Sequence, residues 1–331
     1  MQTRKLGSSN LDVTPLGVGL AALGRPGYIN LGHAQDLERN YDIAVMESHA
    51  HDVLDSAWGL GIRYFDAARS YGRAENFLSS WLKSRQIDPK TVTVGSKWGY
   101  TYTAGWQVTA EHHEIKEHSV SVLERQIGES RYLLGDQLDL YQIHSATLES
   151  GVLDNEGVLT ELAKLRDGGL AIGLSVSGPA QPATIQRAMS IEYGGRPLFA
   201  AVQATWNLLS QEAGDTLDEA HRAGMGIIIK EAVANGRLTS RNHNPEFAAQ
   251  RAVLERAAES LDTTIDAVAI ASVLAQPWVD VVLSGAANVE QLRSNVEALN
   301  CDLDSWLGQL MDSLREDAET YWRTRSALSW N

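Results

Sequence analysis

Short apolar runs recur along almost the whole chain and are separated by amphipathic stretches. The runs are continuous rather than alternating, which is typical of strands buried on both faces of a parallel sheet. They occupy residues 16–20, 64–65, 92–95, 138–143, 171–176, 199–203, 226–229 and 279–283. The pattern therefore predicts eight strands of a parallel sheet.

Segments with helical periodicity lie between these runs. Their apolar positions recur three and four residues apart, in residues 74–84, 114–133, 157–166, 183–191, 217–223 and 247–274. Several are followed by glycine, as at Gly168, Gly194 and Gly224, and glycine readily takes the left-handed conformation after a helix. Residues 25–46 are polar instead, with Pro26 and Gly27 near their start. We predict a long loop there, of the kind that is often functional.

Eight strand–helix units without an interdomain linker predict one (β/α)8 barrel over residues 1–331, with long βα loops. The length of 331 residues lies within the range of such barrels. Periodicity alone leaves an open, doubly wound sheet as the alternative.

Composition narrows the classes of function. Hydrophobic residues make up 44% of the chain, so a large core is expected. The formal net charge of −14 argues against binding to a nucleic-acid backbone. Cys301 is the single cysteine, the first ten residues lack the apolar segment of a secretory signal, and no run is long enough to span a membrane. We expect a cytoplasmic enzyme without a nucleic-acid or membrane partner, and nothing in the sequence indicates the oligomeric state.

Side chains with complementary acid–base chemistry follow three consecutive predicted strands. Asp66 ends the second strand, with Tyr71 just beyond it. Lys97 follows the third strand and His144 the fourth. Because the carboxyl ends of barrel strands carry the chemistry in such folds, these side chains are expected to meet. A lysine held by Asp66 would lower the pKa of Tyr71, and His144 would donate a hydrogen bond to a carbonyl. The pattern predicts a proton relay for carbonyl reduction, with hydride supplied by another group.

These residues and several further motifs resemble the aldo-keto reductase family over nearly the whole chain. The matching motifs are, in chain order, residues 4–7 (RKLG), 66–72 (DAARSYG) with Glu75, Lys97, His144, 172–175 (IGLS), 202–203 (VQ), 206–209 (WNLL) and 290–295 (EQLRSN). The resemblance implies a barrel that binds a nicotinamide dinucleotide in extended form without a Rossmann domain, and a C-terminal loop over the active site. It also implies a catalytic tetrad of Asp66, Tyr71, Lys97 and His144, in which Tyr71 is the general acid.

The resemblance assigns cofactor-binding positions as well. The implied contacts to the nicotinamide, the pyrophosphate and the adenosine are, in that order, Ser175 and Gln203; Val233, Asn235, Gly236 and Leu238; and Ser284, Gly285, Ala286, Gln291 and Asn295. Val176 stands where the family often has asparagine, and residues 229–232 (IKEA) lack the aromatic residue often placed against the nicotinamide. Ala286 and Ala287 are neutral where NADP-specific members usually carry a cation. NADP(H) is therefore only slightly favoured, and NAD(H) or dual use stays open.

Aromatic residues near the expected site predict a ring-lined pocket. Trp98 directly follows Lys97, Trp206 follows the sixth strand, and Trp322 lies in the C-terminal tail. We expect these tryptophans to contact a small-molecule carbonyl or sugar substrate. Two alternatives are an NAD(P)-dependent aldose dehydrogenase working in the oxidative direction and a cofactor-binding, redox-sensing module.

Three other motifs carry less weight. Residues 17–22 (GVGLAA) match a dinucleotide-binding fingerprint, but Arg25 and Pro26 follow where a helix would have to open. His49 and His51 form an H-x-H pair at the start of a predicted helix rather than at a strand end. Residues 111–114 (EHHE) also mark a predicted helix start, where acidic residues are favoured. We predict no metal site from them.

Overall fold

Eight parallel strands close into a barrel in the computed structural model, which describes residues 1–331. The strands are β1 (Leu16–Gly19), β2 (Tyr64–Asp66), β3 (Thr93–Trp98), β4 (Leu140–Ala146), β5 (Ala171–Val176), β6 (Ala201–Thr205), β7 (Gly226–Lys230) and β8 (Val281–Ser284). Each pairs with the strands before and after it in the chain, and β8 pairs with β1. The closing register aligns Leu283 with Gly17 and Ser284 with Val18, so the sheet has no edge. The predicted (β/α)8 barrel is confirmed, and the open sheet is excluded.

Helices surround the barrel and cover the outer faces of its strands. They are Ile43–Gly59, Ala74–Ser84, Val120–Leu134, Glu156–Asp167, Gln181–Met189, Gly214–Arg222, Ala248–Ser260, Ile265–Leu274, Val289–Val296, Leu307–Leu314 and Ala318–Ser326, with one further turn at His33–Asp36. Side-chain caps fix where several begin: Asp42 Oδ1 accepts from the backbone of Ala44 at 2.9 Å. No helix combines the length and the apolarity that a membrane crossing requires.

Two helix predictions were wrong in their extent. The single helix predicted over residues 247–274 is two helices, because Asp262 has a φ of 50° and Thr264 caps a new start by accepting from Ala267 N at 3.2 Å. The helix predicted from residue 114 begins only at Val120, where Ser119 accepts from Val122 N at 3.3 Å. The residues before it form a strand, Glu114–Lys116, which pairs with Tyr100–Tyr102 in a hairpin.

A second hairpin fills the amino-terminal end of the barrel. Its strands are Arg4–Lys5 and Asp12–Val13, and Leu6 between them is fully buried. A Cβ on Gly226 would lie 2.5 Å from Leu6 Cγ, so glycine is required where the hairpin meets β7. Side chains fill this end of the barrel. A ligand site is therefore expected at the opposite end, where the strands have their carboxyl ends.

Three segments enclose the carboxyl end. They are the loop after β1 (residues 20–42), the hairpin after β3, and the last helix with the tail that follows it. The tail is fixed to the first loop by backbone hydrogen bonds of 3.0 and 3.2 Å between Asn331 and Tyr28. It is fixed to the hairpin by Trp330, which stacks on His113 with ring centroids 3.8 Å apart. The long loop and the C-terminal segment thus cover the carboxyl ends of the strands.

Candidate active site

The four predicted catalytic side chains meet at the carboxyl ends of β2, β3 and β4. Asp66 is the last residue of β2, Lys97 lies in β3 and His144 in β4. Tyr71 lies in the turn after β2, and this turn places its side chain over the barrel. Lys97 is fully buried, Asp66 and His144 are 1% and 8% exposed, and Tyr71 is half-buried.

Lys97 and Asp66 form an ion pair inside the barrel. Lys97 Nζ also donates to the carbonyl oxygen of Ala67 at 3.0 Å. The other carboxylate oxygen of Asp66 accepts from Gln142 Nε2 and Gln203 Nε2, each at 3.1 Å. The lysine is therefore held in one position, with Nζ 4.9 Å from the centroid of the Tyr71 ring.

Tyr71 and His144 form the polar pair that faces the open space. Tyr71 Oη lies 3.5 Å from His144 Nε2, and Ser70 Oγ lies 3.4 Å from His144 Nδ1. Burial, reinforced by the charge of Lys97, lowers the pKa of His144 well below its ordinary value, so the ring is neutral at neutral pH. A hydrogen bond donated by Ser70 Oγ to Nδ1 would place the ring proton on Nε2, the nitrogen beside Tyr71.

The sequence predicted that Lys97 would lower the pKa of Tyr71, and in this structure the net shift of that pKa is upward. Burial raises the pKa of Tyr71 above its ordinary value, and the carboxylate of Asp66 raises it further. Tyr71 is consequently protonated over the whole neutral range, which is the state that a proton donor needs.

The turn that presents Tyr71 is fixed by close backbone packing. Gly72 has a φ of 59°, and a Cβ there would lie 2.5 Å from the carbonyl oxygen of Gly24. Arg73 N donates to the same carbonyl at 2.7 Å. Behind the turn, the buried carboxylate of Glu75 pairs with Arg69 and accepts from Ser130 Oγ at 2.6 Å. These contacts explain why glycine and glutamate accompany the tyrosine in the 66–75 motif.

A cavity of about 290 Å³ opens in front of Tyr71 and His144, and we call it the inner cavity. Its aromatic wall consists of Tyr28, Tyr100 and Trp330, one from each of the three enclosing segments. None of these three is among the tryptophans predicted above to contact the substrate. Their approach depends on contacts between segments far apart in the chain, which local sequence patterns do not record.

Arg25 is a further cavity residue that the sequence reasoning missed. It is 3% exposed, and its guanidinium lies 4.8 to 5.1 Å from the ring centroids of Tyr28, Tyr71 and Trp330. Its Nη1 donates to Glu114 Oε2 at 3.0 Å. The signal available in the sequence was its place in the long polar loop that follows the first strand.

Charged residues from β7 and the last helix complete the inner cavity. Glu231 is bound by Arg325, whose Nη2 lies 2.6 Å from Glu231 Oε1. Burial opposes the charge of Glu231, but Arg325 and Lys230 together outweigh it and lower the pKa of that carboxyl to about 2. Lys230 lies beside this pair, at the strand position where sequence analysis had noted a missing aromatic residue.

The three tryptophans predicted to line the pocket do not line the inner cavity. Trp98 is fully buried and packs edge-on against His118, with ring centroids 5.5 Å apart. Successive strand residues point to opposite faces, so Trp98 points away from the side of the sheet that carries Lys97. Trp206 is 1% exposed and packs edge-on against Trp278 at 5.5 Å. Trp322 is 7% exposed and directs its Nε1 toward Glu212 Oε1, 3.4 Å away.

A second cavity of about 610 Å³ continues from the first along β7 and β8, and we call it the outer cavity. Val233 and Gly285 line both cavities, so the two form one groove. All the predicted cofactor residues except Ser175 and Leu238 line this groove: Gln203, Val233, Asn235, Gly236, Ser284, Gly285, Ala286, Gln291 and Asn295. Leu238 is fully buried, and Ser175 Oγ lies beneath the surface, where it accepts from Ser145 N at 2.8 Å.

The motifs given less weight differ in their position: Gly19, Ala21, Ala22 and Glu114 line the inner cavity, whereas the two histidines belong to a helix. His49 and His51 belong to the interior of the helix Ile43–Gly59 rather than to its start. Residues 111–114 were expected at a helix start and instead lie at the turn and strand of the hairpin. No group of three or more His, Cys, Asp or Glu side chains is arranged to hold a metal ion.

Comparison with known proteins gives one family. The sequence model described as "Aldo/keto reductase family" matches residues 16–316. Among curated relatives, the uncharacterized oxidoreductase YqkF of Bacillus subtilis is 26% identical over 91% of this chain and 92% of its own. Pyridoxal 4-dehydrogenase of Microbacterium luteolum is 23% identical over 89% of this chain and 92% of its own.

A solved structure agrees with the barrel. The holo form of aldo-keto reductase AKR11C1 from Bacillus halodurans superposes with a TM-score of 0.73 and 22% identity, covering 97% of this chain and 99% of that one. This likeness supports the shared fold over the whole length of both chains.

Proposed function

The chain belongs to the aldo/keto reductase family and is an NAD(P)H-dependent oxidoreductase, and we propose that it reduces aldehyde or ketone carbonyls with Tyr71 as the proton donor. The observation that carries this proposal is the Tyr71–His144 pair, 3.5 Å apart and open to the inner cavity, beside a buried Lys97–Asp66 ion pair. A phenol, a neutral imidazole and a buried cation together supply the groups that carbonyl protonation requires.

Tyr71 holds the proton that is transferred. Because its pKa is raised by burial, the phenol keeps its proton until a carbonyl oxygen that is gaining negative charge comes into contact with it. Lys97, 4.9 Å from the ring, stabilises the negative charge that then develops on the phenol oxygen. Asp66 holds Lys97 in place and balances its charge.

His144 orients the carbonyl. The neutral ring donates one hydrogen bond from Nε2 and carries no charge that would compete with Tyr71 for the role of acid. A carbonyl oxygen placed between Tyr71 Oη and His144 Nε2 would accept from both, which fixes the carbon toward the groove.

The groove fits a nicotinamide dinucleotide in extended form. Asn235 Oδ1 is buried at its edge without a hydrogen-bond partner, and Gln203 lines the inner cavity while its amide nitrogen is bound to Asp66. The orphaned oxygen of Asn235 is an acceptor that an amide or hydroxyl group of such a cofactor would satisfy. When bound, the reduced nicotinamide supplies the hydride.

We further propose that the cofactor is NAD(H), although the sequence alone slightly favours NADP(H). Five carboxylates line the outer cavity: Asp36, Glu255, Glu259, Asp266 and Glu290. The one cation there, Arg241, is already bound to Asp36. A 2′-phosphate would meet like charges, and each such pair costs about 1 kcal/mol at 4 Å even in water.

Fluorescence titration tests the cofactor proposal without turnover. NADH should bind about tenfold more tightly than NADPH. The ratio of the two dissociation constants should decrease as added salt screens the carboxylates. Glu290→Gln and Asp266→Asn should each decrease this ratio as well. Equal or tighter binding of NADPH to the wild type would contradict the proposal.

Replacement of Tyr71 tests the proposed reaction. Tyr71→Phe should lower kcat for a simple aldehyde by at least about 100-fold, the usual contribution of a general acid, while the Kd for cofactor stays within about twofold. If the variant retained most of its kcat, Tyr71 would not be the donor. If the wild type bound cofactor but reduced no carbonyl compound, a redox-sensing role would replace the enzymatic one.

A second candidate is oxidation of an alcohol or an aldose hemiacetal by the same site run in reverse. The acidic outer cavity favours this candidate, because it favours NAD over NADP and NAD is the usual oxidant in cells. Two similar proteins, pyridoxal 4-dehydrogenase and a probable aryl-alcohol dehydrogenase of Saccharomyces cerevisiae, are also named for oxidations. Steady-state rates in both directions, with one alcohol–carbonyl pair and one cofactor, distinguish the two.

A further inference from the structure

Charge pairing in the inner cavity leaves one cation without a carboxylate. Its three carboxylates are each bound to a cation, in the pairs Asp66–Lys97, Glu114–Arg25 and Glu231–Arg325. Lys230 lines the same cavity and is paired with none of them. The residues around the reacting groups therefore carry one positive charge in excess.

The ammonium group of Lys230 is also short of hydrogen-bond acceptors. Nζ donates to Thr205 Oγ1 at 2.6 Å and to no other protein atom. An ammonium has three N–H donors, so two remain for a ligand. The ring of Trp322, with its centroid 5.8 Å away, flanks the group on another side.

The neighbours of Lys230 do not neutralise it. Burial lowers the pKa of Lys230 to about 8; Glu231 opposes this shift, while Arg325 and Lys97 add to it. The side chain is thus mostly cationic at neutral pH, half-buried, and next to two further cations. Burying a charge without a partner is unfavourable, so a site of this kind gains from an anionic ligand.

We propose that Lys230 binds a carboxylate of the substrate, so that the enzyme prefers aldehydes and ketones that carry one carboxylate group. The single excess charge matches a monoanion better than a doubly charged phosphate ester. The cavity of about 290 Å³ suits a small molecule of this type. This inference rests on the proposed carbonyl reduction, since Lys230 and Tyr71 face the same space.

Matched substrates test the inference. Succinic semialdehyde and its methyl ester share the aldehyde and differ in the negative charge. For the wild type, kcat/KM should be about 10- to 100-fold higher for the acid, as expected for a hydrogen bond to a charged group. Lys230→Met should reduce this ratio to near one, mainly through KM, and Lys230→Arg should restore most of it.

A control variant removes a cation near the cavity but outside it. Lys116 is exposed and donates to the carbonyl oxygen of Ser145 at 2.7 Å. Lys116→Met should keep the acid-to-ester ratio of the wild type. A similar loss of the ratio in Lys116→Met and Lys230→Met would assign the effect to the general field of the protein and overturn the inference.

The outcomes separate the two proposals. If the wild type reduces the ester as well as the acid, Lys230 does not select substrates, while carbonyl reduction stands. If it reduces neither aldehyde, carbonyl reduction of such compounds fails, and binding of succinate itself decides the role of Lys230. Succinate should then quench the fluorescence of Trp322 in the wild type but not in Lys230→Met; equal quenching in both would overturn the inference.

Discussion

Asp66→Asn is the perturbation whose effect follows most fully from the structure. It removes one charge from an ion pair in which the side chains of Lys97 and Asp66 are 0% and 2% exposed. Lys97 is then left either as a buried, unpaired cation or as a neutral amine. Breaking a buried pair from one side costs about 3–5 kcal/mol of folding free energy.

Deprotonation of Lys97 sets an upper limit to the folding free energy that the variant loses. An unfolded lysine has a pKa near 10.4, so removing its proton at pH 7 costs about 4.6 kcal/mol, at 1.36 kcal/mol per unit. At pH 9 the same step costs about 1.9 kcal/mol. If the folded variant binds one proton fewer than its unfolded state, its stability rises with pH. The difference between Asp66→Asn and the wild type should therefore shrink as the pH rises from 7 to 9.

Urea denaturation at several pH values measures this difference, and aldehyde reduction at pH 7 measures catalysis. Asp280→Asn is the matched control, because Asp280 is 5% exposed and accepts from Ile227 N at 2.8 Å at the other end of the barrel. The Asp280→Asn control should lose some stability while its kcat stays unchanged. Asp66→Asn should lose both stability and kcat. A loss below about 1 kcal/mol at pH 7 would refute the buried-charge reasoning, and a loss that does not change with pH would show that Lys97 keeps its proton in the variant.

Three further outcomes are expected. The pKa of Lys230 is lowered to about 8, so its ammonium is lost as the pH rises through that value, and kcat/KM should then fall for succinic semialdehyde but not for its methyl ester. Burial lowers the pKa of His33 and of His118 to about 4. As the pH drops from about 6.5 to 4, the two histidines are protonated in the unfolded chain before they are protonated in the folded protein, so the urea midpoint should fall over this range. Gly72→Ala, at a φ of 59° and facing the Gly24 carbonyl, should lower kcat/KM and destabilise the fold by at least about 1 kcal/mol, as seen in thermal denaturation.

The parts of the fold that depend on local pattern could be predicted from the sequence. The eight apolar runs match the eight strands, because burial on both faces leaves a continuous apolar signal. The meeting of Asp66, Lys97 and His144 followed from the strand order, since parallel strands bring their carboxyl ends to one rim. The sequence also held a signal against Trp98 as a pocket residue, because Lys97 was expected at the site and neighbouring strand residues point to opposite faces.

The remaining features depend on contacts between distant segments. Arg25 enters the cavity because the tail returns to the first loop, where Trp330 and Tyr28 enclose its guanidinium. The split of residues 247–274 was signalled only by Thr264, a good cap in the middle of an otherwise helical pattern. The excess charge at Lys230 becomes visible only when the partners of Glu231 and its neighbours are known.

One measurement tests the central claim most directly: a single turnover of enzyme preloaded with NADH and mixed with a simple aldehyde, followed by the loss of NADH fluorescence. The account predicts a rapid decay for the wild type and a decay at least about 100-fold slower for Tyr71→Phe, with equal cofactor Kd for both proteins. Equal decay rates would show that Tyr71 does not donate the proton, and the proposed mechanism would have to be abandoned.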